Sequence, residues 1–150
     1  MNIHATLNEV LVRLFRNINA IEEQVIKKSE YQSMTTNDMH VIEAIGIEEP
    51  RNMTAVARAL MVTTGTLTIS VNSLVKKGFV ERTRSEEDRR VVLVSLTEKG
   101  RQAYRSHENF HKDMVAAVTK ELTVEEQVIL EKALSRLNRY FREEQEKLRK

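Results

Sequence analysis

Two apolar stripes at helical spacing, one near each end of the 150-residue sequence, most constrain how this chain can fold. In both stripes the apolar side chains recur every three or four residues, which predicts a long helix with one apolar face at each end of the chain. Thr123 and Glu126 have the spacing of a capping box at the start of the second helix. The stripes comprise Leu7, Leu11, Leu14, Ile18, Ile21 and Val25, and then Leu130, Leu134, Leu137, Phe141 and Leu148.

Each apolar face needs a partner, which is either another part of the same chain or a helix of a second chain. Because a chain of 150 residues leaves little between its terminal helices for them to cover, the pattern favours a helical dimer interface. The residues that we expect in this interface are Leu7, Leu11, Leu130, Leu134, Leu137 and Phe141.

The middle of the chain predicts a helix-turn-helix followed by a β-hairpin. A helix is expected over 35–46, then a short helix over 53–60 capped by Asn52, and a second helix from about Thr64 to Lys77 that stops at Gly78. The predicted hairpin has strands at 79–84 and 91–96, a tip at 85–90, and a further helix after it, over 97–120.

The fold class is therefore mainly α, an α+β winged helix with long terminal dimerisation helices. We expect one domain over residues 1–150, in which 35–100 form the winged helix-turn-helix and 1–30 and 101–150 form the dimerisation helices.

The outer face of the second helix is made of hydroxyl and amide side chains, namely Thr64, Thr66, Thr68, Asn72 and Ser73. No acid occurs from residue 50 to residue 80, and residues 51–120 carry 13 basic and 7 acidic side chains. Threonine, serine and asparagine can contact phosphates and base edges, so this pattern favours a helix in a DNA groove. The alternative is an ordinary polar surface and a random scatter of charge.

Several classes of protein are excluded or disfavoured. The absence of cysteine excludes disulfides and thiolate metal sites. With neither a glycine-rich phosphate loop nor a tight Ser-His-Asp grouping, we do not expect an enzyme. No apolar run reaches the roughly 18 residues that cross a membrane, and the first ten residues lack the pattern of a secretory signal, so we expect a cytoplasmic protein without a membrane partner.

The segments Gly78-Phe-Val-Glu-Arg82, Asp88-Arg-Arg90 and Leu96-Thr-Glu-Lys-Gly100 resemble the MarR family of bacterial repressors. The resemblance implies a triangular homodimer on palindromic double-stranded DNA, with each recognition helix in the major groove and each wing in the minor groove. It also implies that Asp88 pairs with an arginine inside the wing, while Arg89 or Arg90 enters the minor groove. The DNA contacts implied are Thr63, Thr64, Thr66, Thr68, Asn72, Ser73, Lys76, Arg84, Ser85, Asp88, Arg89 and Arg90.

One position departs from this family. Many members have a basic residue where Ile69 stands, and an isoleucine can make only apolar contact with a base.

Residues 61–68, 84–92 and 107–114 resemble more narrowly the fatty-acid-biosynthesis repressors of Gram-positive bacteria. This implies a long-chain acyl–acyl carrier protein as a corepressor, an apolar tunnel for the chain, and a basic docking patch at Arg101, Arg105 and Lys112. The tunnel residues would be Phe15, Ile18, Met39, Ile42, Met61, His107, Phe110, His111 and Met114, which would otherwise be ordinary core residues.

Zinc is an alternative effector, as is another small apolar or aromatic ligand; no other cofactor is expected. His107 and His111 are four residues apart and face the same way on a helix. With Glu23 and His40 they could form a zinc site, and a zinc-sensing branch of the MarR family has ligands in similar regions. The histidines could instead make hydrogen bonds between helices.

Overall fold

The computed structural model describes residues 2–149, which form helices and a small sheet. In chain order the elements are α1 (Ile3–Lys28), α2 (Thr36–Ile45), β1 (Arg51–Asn52), α3 (Met53–Leu60), α4 (Thr64–Lys76), β2 (Val80–Arg84), β3 (Val92–Leu96), α5 (Glu98–Lys120) and α6 (Val124–Leu148). The predicted winged helix-turn-helix with long terminal helices is confirmed.

Polar caps set where most of these helices begin. The side chain of Thr35 accepts from the Asp38 N–H, and the Asp38 carboxylate accepts from the Thr35 N–H, which completes a capping box on α2. Asn52 caps α3, and Thr63 caps α4 through its side-chain oxygen. The capping box predicted at Thr123 is present on α6. Each cap satisfies N–H groups that have no partner within the helix.

The sheet contains three antiparallel strands in the order β1-β3-β2. The predicted hairpin is confirmed, with Val80 opposite Leu96 and Arg84 opposite Val92. The strand β1 was not predicted from the sequence; its two residues, Arg51 and Asn52, pair with Val94 and Leu93. A strand of two residues is too short to show the alternation by which strands are recognised in a sequence.

The chain divides into two compact units, one reaching Tyr104 and the other starting at Arg105. The prediction of a single domain over 1–150 stays a prediction. The first unit contains the hydrophobic core, in which residues of α2, α3, α4, both hairpin strands and the start of α5 pack together. The largest fully buried side chains there are Phe79, Ile42, Ile45, Leu67, Leu74, Val41, Val56, Val71 and Val94.

Two glycines allow the chain to pass from α4 to the wing and from the wing to α5. Gly78 ends the recognition helix with a φ of 84°, a left-handed value that favours glycine. At Gly100 a Cβ would lie only 2.1 Å from the Phe79 carbonyl oxygen, so the first turn of α5 passes close against the start of the hairpin. Thr97 fixes this approach, because its hydroxyl donates to the Gly78 carbonyl at 2.6 Å.

The second unit consists of the remainder of α5 and α6. Gln127 secures the turn between them by donating to the carbonyls of Thr119 and Leu122, both at 3.1 Å. No residue of α6 is buried along its described length. Within residues 2–149 no single helix is long and apolar enough to cross a bilayer, and α3 and α4 pass that test only as a pair bent by 105°.

Candidate nucleic-acid interface

Three side chains fix the orientation of α4. Leu67, Val71 and Leu74 are at most 1% exposed and belong to the core of the first unit. Since they recur at intervals of four and three residues, they form one narrow buried stripe. Most of the remaining residues of this helix are exposed.

The outward surface carries the side chains that the sequence predicts as DNA contacts. Thr64, Thr66, Thr68, Asn72 and Lys76 are exposed, as is the capping Thr63, and Ser73 is partly exposed. No acidic side chain interrupts this face. A polyanion therefore meets a surface without like-charge repulsion, and contact of these residues with DNA stays a prediction.

Hydrogen bonds within α4 decide what two threonines can offer to a partner. The Thr68 hydroxyl donates to the Thr64 carbonyl at 2.8 Å, so it can still accept a hydrogen bond and present its methyl group. The Thr66 hydroxyl accepts from that of Thr63 at 3.0 Å and keeps its own hydrogen for donation. The face therefore offers donors, acceptors and methyl groups together.

Arg82 on β2 contacts the recognition helix, a feature that sequence reasoning missed. Its Nη2 donates to Asn72 Oδ1, so the amide oxygen of Asn72 already accepts a hydrogen bond from the strand. Both residues are exposed. The strand thus restricts how Asn72 can read a base, since adenine recognition uses both ends of the amide.

The start of α2 is tied to α4 at two points. Lys77 Nζ lies 2.9 Å from Asp38 Oδ2 and donates to the Ser33 carbonyl at 2.8 Å. Further along, Asn37 Nδ2 donates to Ser70 Oγ at 3.2 Å. Because Asp38 is buried, its ion pair with Lys77 holds the end of the recognition helix against the core.

The wing tip is a compact turn held by its own polar groups. The Ser85 N–H donates to the Val91 carbonyl at 2.9 Å and closes the tip. Asp88 accepts from Arg90 through Nε and Nη2, each at 3.1 Å, and also from the backbone N–H of Arg90. The Arg90 side chain, and secondly its backbone N–H, hold the pKa of Asp88 below its ordinary value, so the carboxylate is ionised at neutral pH.

The predicted brace by Asp88 is confirmed, and its partner is Arg90. The Arg90 side chain is still 91% exposed, so the pairing orients the guanidinium without removing it from solvent. Arg84 has an internal role in the wing, because its Nη1 donates to the Arg89 carbonyl at 2.9 Å. Arg89 itself is exposed.

The residues predicted for an acyl tunnel are not alike in burial. Met39 and Ile42 are at most 3% exposed in the core of the first unit, whereas Phe15 is 61% exposed. Met61 ends α3 in a left-handed conformation, with a φ of 55°. The others are His107, which is buried, and Ile18, Phe110, His111 and Met114, which are partly buried. None of these residues lines the clefts of about 560, 440 and 300 Å³ that are formed by residues within 52–92, 23–37 and 135–146 respectively.

Of the docking-patch cations predicted beside the tunnel, Arg105 and Lys112 are exposed and Arg101 is partly exposed.

The alternative zinc ligands lie in both units, Glu23 and His40 in the first and His107 and His111 in the second. In the first unit, His40 Nε2 lies 3.5 Å from Glu22 Oε1, whereas the predicted Glu23 pairs with Lys27 on the surface. The helix turns Glu22 rather than Glu23 toward the core, which the sequence pattern alone did not decide. In the second unit, His107 Nε2 and His111 Nε2 are 2.9 Å apart.

The predicted dimer residues form apolar faces that are open to solvent. Leu7 is 50% exposed in α1, and Leu134 and Phe141 are 47% and 52% exposed in α6. Leu137 is also exposed, and Leu11 and Leu130 are partly exposed. Dimer contacts by these residues stay a prediction.

Comparison with known proteins places the chain in a family. A family described as the transcriptional regulator SarA/Rot matches residues 23–106. The HTH-type transcriptional regulator SarZ of Staphylococcus saprophyticus is 33% identical over 104 residues, which are 69% of this chain and 70% of that protein. The chain is a MarR/SarA-family winged-helix transcriptional regulator. This confirms the predicted family and the prediction that the chain is not an enzyme.

Two further relatives show how far the likeness extends along this MarR/SarA regulator. SarZ of Staphylococcus haemolyticus is 39% identical over 82 residues, and the match spans only 52% of this chain and 56% of that protein. FabT of Streptococcus pneumoniae, solved in complex with DNA, is 38% identical and has a TM-score of 0.90. That likeness covers 93% of this chain and 98% of FabT, so it includes the terminal helices as well as the winged helix.

Proposed function

We propose that this MarR/SarA regulator is a sequence-specific repressor of fatty-acid-biosynthesis genes that binds palindromic double-stranded DNA as a homodimer. Long-chain acyl–acyl carrier protein is the proposed corepressor. The observation that carries the DNA-binding part is the acid-free outer face of α4 beside a wing whose Arg90 is oriented by Asp88. The likeness to FabT, which was solved with DNA, supports the same conclusion.

The apolar faces of α1 and α6 support the proposed dimerisation. Leu7 and Leu14 are 50% and 46% exposed on α1, and Leu134 and Phe141 are 47% and 52% exposed on α6. Large apolar side chains exposed side by side are typical of an interaction surface. A second copy of the chain is the partner that supplies an equivalent face, and a two-fold dimer would place two recognition helices on the two halves of a palindrome.

The fatty-acid role is supported by the segments at 61–68, 84–92 and 107–114, which resemble the fatty-acid-biosynthesis repressors. In the proposed mechanism the acyl chain enters the protein and the acidic carrier meets the cations Arg101, Arg105 and Lys112. If the acyl carrier binds the DNA-competent form of the protein more tightly than the other form, it raises the affinity for the operator. The increase is set by the ratio of its affinities for the two forms.

The DNA-binding proposal is tested by salt dependence. The affinity for a duplex selected from a random pool is expected to fall steeply as salt rises, because bound cations release counterions from phosphates. Lys76→Met is expected to reduce the log–log slope by about one if it contacts a phosphate, whereas Lys28→Met, on α1, should leave the slope unchanged. A protein that selects no duplex above background would contradict the proposal.

The corepressor is tested by titrating the protein–DNA complex with long-chain acyl–acyl carrier protein, with the carrier lacking an acyl chain, and with zinc. Tighter DNA binding with the acylated carrier alone is the expected result. Zinc is retained as a comparison because the His107 and His111 Nε2 atoms lie 2.9 Å apart. Enhancement by zinc alone, lost in His107→Gln, would overturn the fatty-acid role while leaving DNA binding intact.

A further inference from the structure

Ile69 is a large apolar side chain at the centre of the outer face of α4. It is 73% exposed, and no other large hydrophobic side chain of this helix is exposed. At about 100° per residue, Ile69 lies roughly 140–160° round the helix from Val71, Leu67 and Leu74 on the buried stripe. The side chain therefore points away from the core of its own unit, to where a ligand of the recognition helix would lie.

The surroundings of Ile69 are polar and carry no negative charge. Its neighbours one turn away are Thr66, Asn72 and Ser73, and Lys76 lies one turn beyond. Nothing in helix stability calls for isoleucine at such a position, since lysine, glutamine and alanine all have better helix propensity. Ile69 and its hydrogen-bonding neighbours are therefore complementary to a polar partner surface that contains one apolar group.

Gly65, one turn before Ile69 on the same face, indicates that a partner approaches closely. Gly65 is in the first turn of α4, and glycine has a lower helix propensity than alanine. A Cβ on Gly65 would meet only Thr63 Oγ1, at an ordinary 3.9 Å, so packing within the protein does not require glycine there. Neither Gly65 nor Ile69 is required by the fold, so both residues indicate that this face contacts another molecule.

The floor of the DNA major groove has the complementary chemistry. Its base edges present hydrogen-bond donors and acceptors, and its one apolar group on unmodified DNA is the C5-methyl of thymine. We infer that Ile69 reads a thymine C5-methyl group in the major groove and selects thymine at one position in each half-site. The inference rests on the proposed DNA-binding function and names what that surface recognises.

The test removes the methyl group from the DNA alone. A duplex is first selected by the wild-type protein from a random pool, and each thymine is then replaced singly by deoxyuridine, which keeps every hydrogen-bonding group. Dissociation constants are measured by fluorescence anisotropy at one fixed salt concentration. At one thymine in each half-site, deoxyuridine is expected to weaken binding about fourfold, the factor for one buried methyl-sized group.

Variants assign that loss to Ile69. Ile69→Ala should bind the parent duplex more weakly and show no further loss with deoxyuridine, while Ile69→Val should keep part of the discrimination. Ile129→Ala makes the same truncation at an isoleucine of α6 that is 67% exposed, and this matched control should keep the deoxyuridine effect in full. Thermal melting followed by circular dichroism should show that all of these variants stay folded.

The two proposals fail differently. If the wild-type protein selects no sequence, the DNA-binding proposal fails. If it selects a sequence but tolerates deoxyuridine at every thymine, or if Ile69→Ala keeps the full deoxyuridine effect, DNA binding stands and the role of Ile69 is overturned.

Discussion

Gly100 is the residue at which the smallest change should have a large effect on stability. In Gly100→Ala the new Cβ would lie 2.1 Å from the carbonyl oxygen of Phe79, a backbone atom that cannot rotate away. We expect the free energy of unfolding to fall by about 1–3 kcal/mol, as measured by urea denaturation. Gly65→Ala is the control, because its Cβ would make only an ordinary 3.9 Å contact with Thr63 Oγ1 and alanine is the better helix former; it should be neutral or stabilising.

Asp88 and Arg90 should act as one unit in the wing. Arg90→Ala is expected to weaken DNA binding by about 1–3 kcal/mol, since it removes the guanidinium itself. Asp88→Asn should give a smaller loss, because Arg90 stays but is no longer held by two charge-assisted hydrogen bonds. In the Arg90→Ala background, Asp88→Asn should then add nothing. An additive pair in this double-mutant cycle would mean that Asp88 acts in some other way.

The sequence predicts only part of this residue-level arrangement. The resemblance to the MarR family implies an internal brace by Asp88, and the brace is present. Which arginine it holds depends on the backbone path of the tip, which residue types alone do not give. The bond from Arg84 to the Arg89 carbonyl is hidden for the same reason, and the bond from Arg82 to Asn72 requires the sheet to be placed against α4.

Among the elements, those with local signals are the ones that sequence reasoning places correctly. Capping residues at Thr35, Asn52 and Thr123 mark helix starts, because each satisfies N–H groups of its own first turn. The strand β1 lacks such a signal, since it exists only through its pairing with Leu93 and Val94. Long-range pairing of two residues leaves no periodic trace in a sequence.

The tie between α2 and α4 gives a prediction at this scale, for which adjacent lysines provide a matched pair. Lys77→Met removes the cation that pairs with the buried Asp38 and should lower the free energy of unfolding by about 1–2 kcal/mol. Lys76→Met, on the exposed face, should change stability by less than about 0.5 kcal/mol. Chemical denaturation at neutral pH measures both, and equal effects would show that the pair with Asp38 contributes nothing particular to stability.

At the scale of the whole molecule, the apolar stripes of α1 and α6 are the clearest feature of the sequence. The stripes alone do not show whether the surface that covers them belongs to the same chain or to a second chain. No residue of α6 is buried over Val124–Leu148, and Leu134 is 47% exposed. A helix whose apolar face stays open gains little from burial and depends on a partner for its stability. The sequence predicts the apolar face of α6 because the spacing of its apolar side chains is a local pattern. Assembly depends on the surfaces of two molecules, which a local pattern does not describe.

The proposed dimer predicts that one charge on this face separates the two chains. In Leu137→Asp a carboxylate would be buried without a counter-ion at the interface, which is far more costly than losing the apolar contact alone. Sedimentation velocity at micromolar concentration should show a single-chain mass, and affinity for a palindromic duplex should fall with it.

Ser135→Asp adds the same charge about 100° or more round the helix from Leu134 and Leu137 and should leave the dimer intact. Should Leu137→Asp and Leu134→Asp both sediment as dimers, the apolar face of α6 would not be the contact between chains. Ser135 is exposed, and its hydroxyl donates to Glu131 Oε1, one turn earlier on the same helix, at 2.9 Å. If Ser135→Asp also separated the chains, the added charge on the helix would be the cause, and not its position on the apolar face. Separation of the chains by the two leucine variants alone is therefore the result that assigns the face to the dimer.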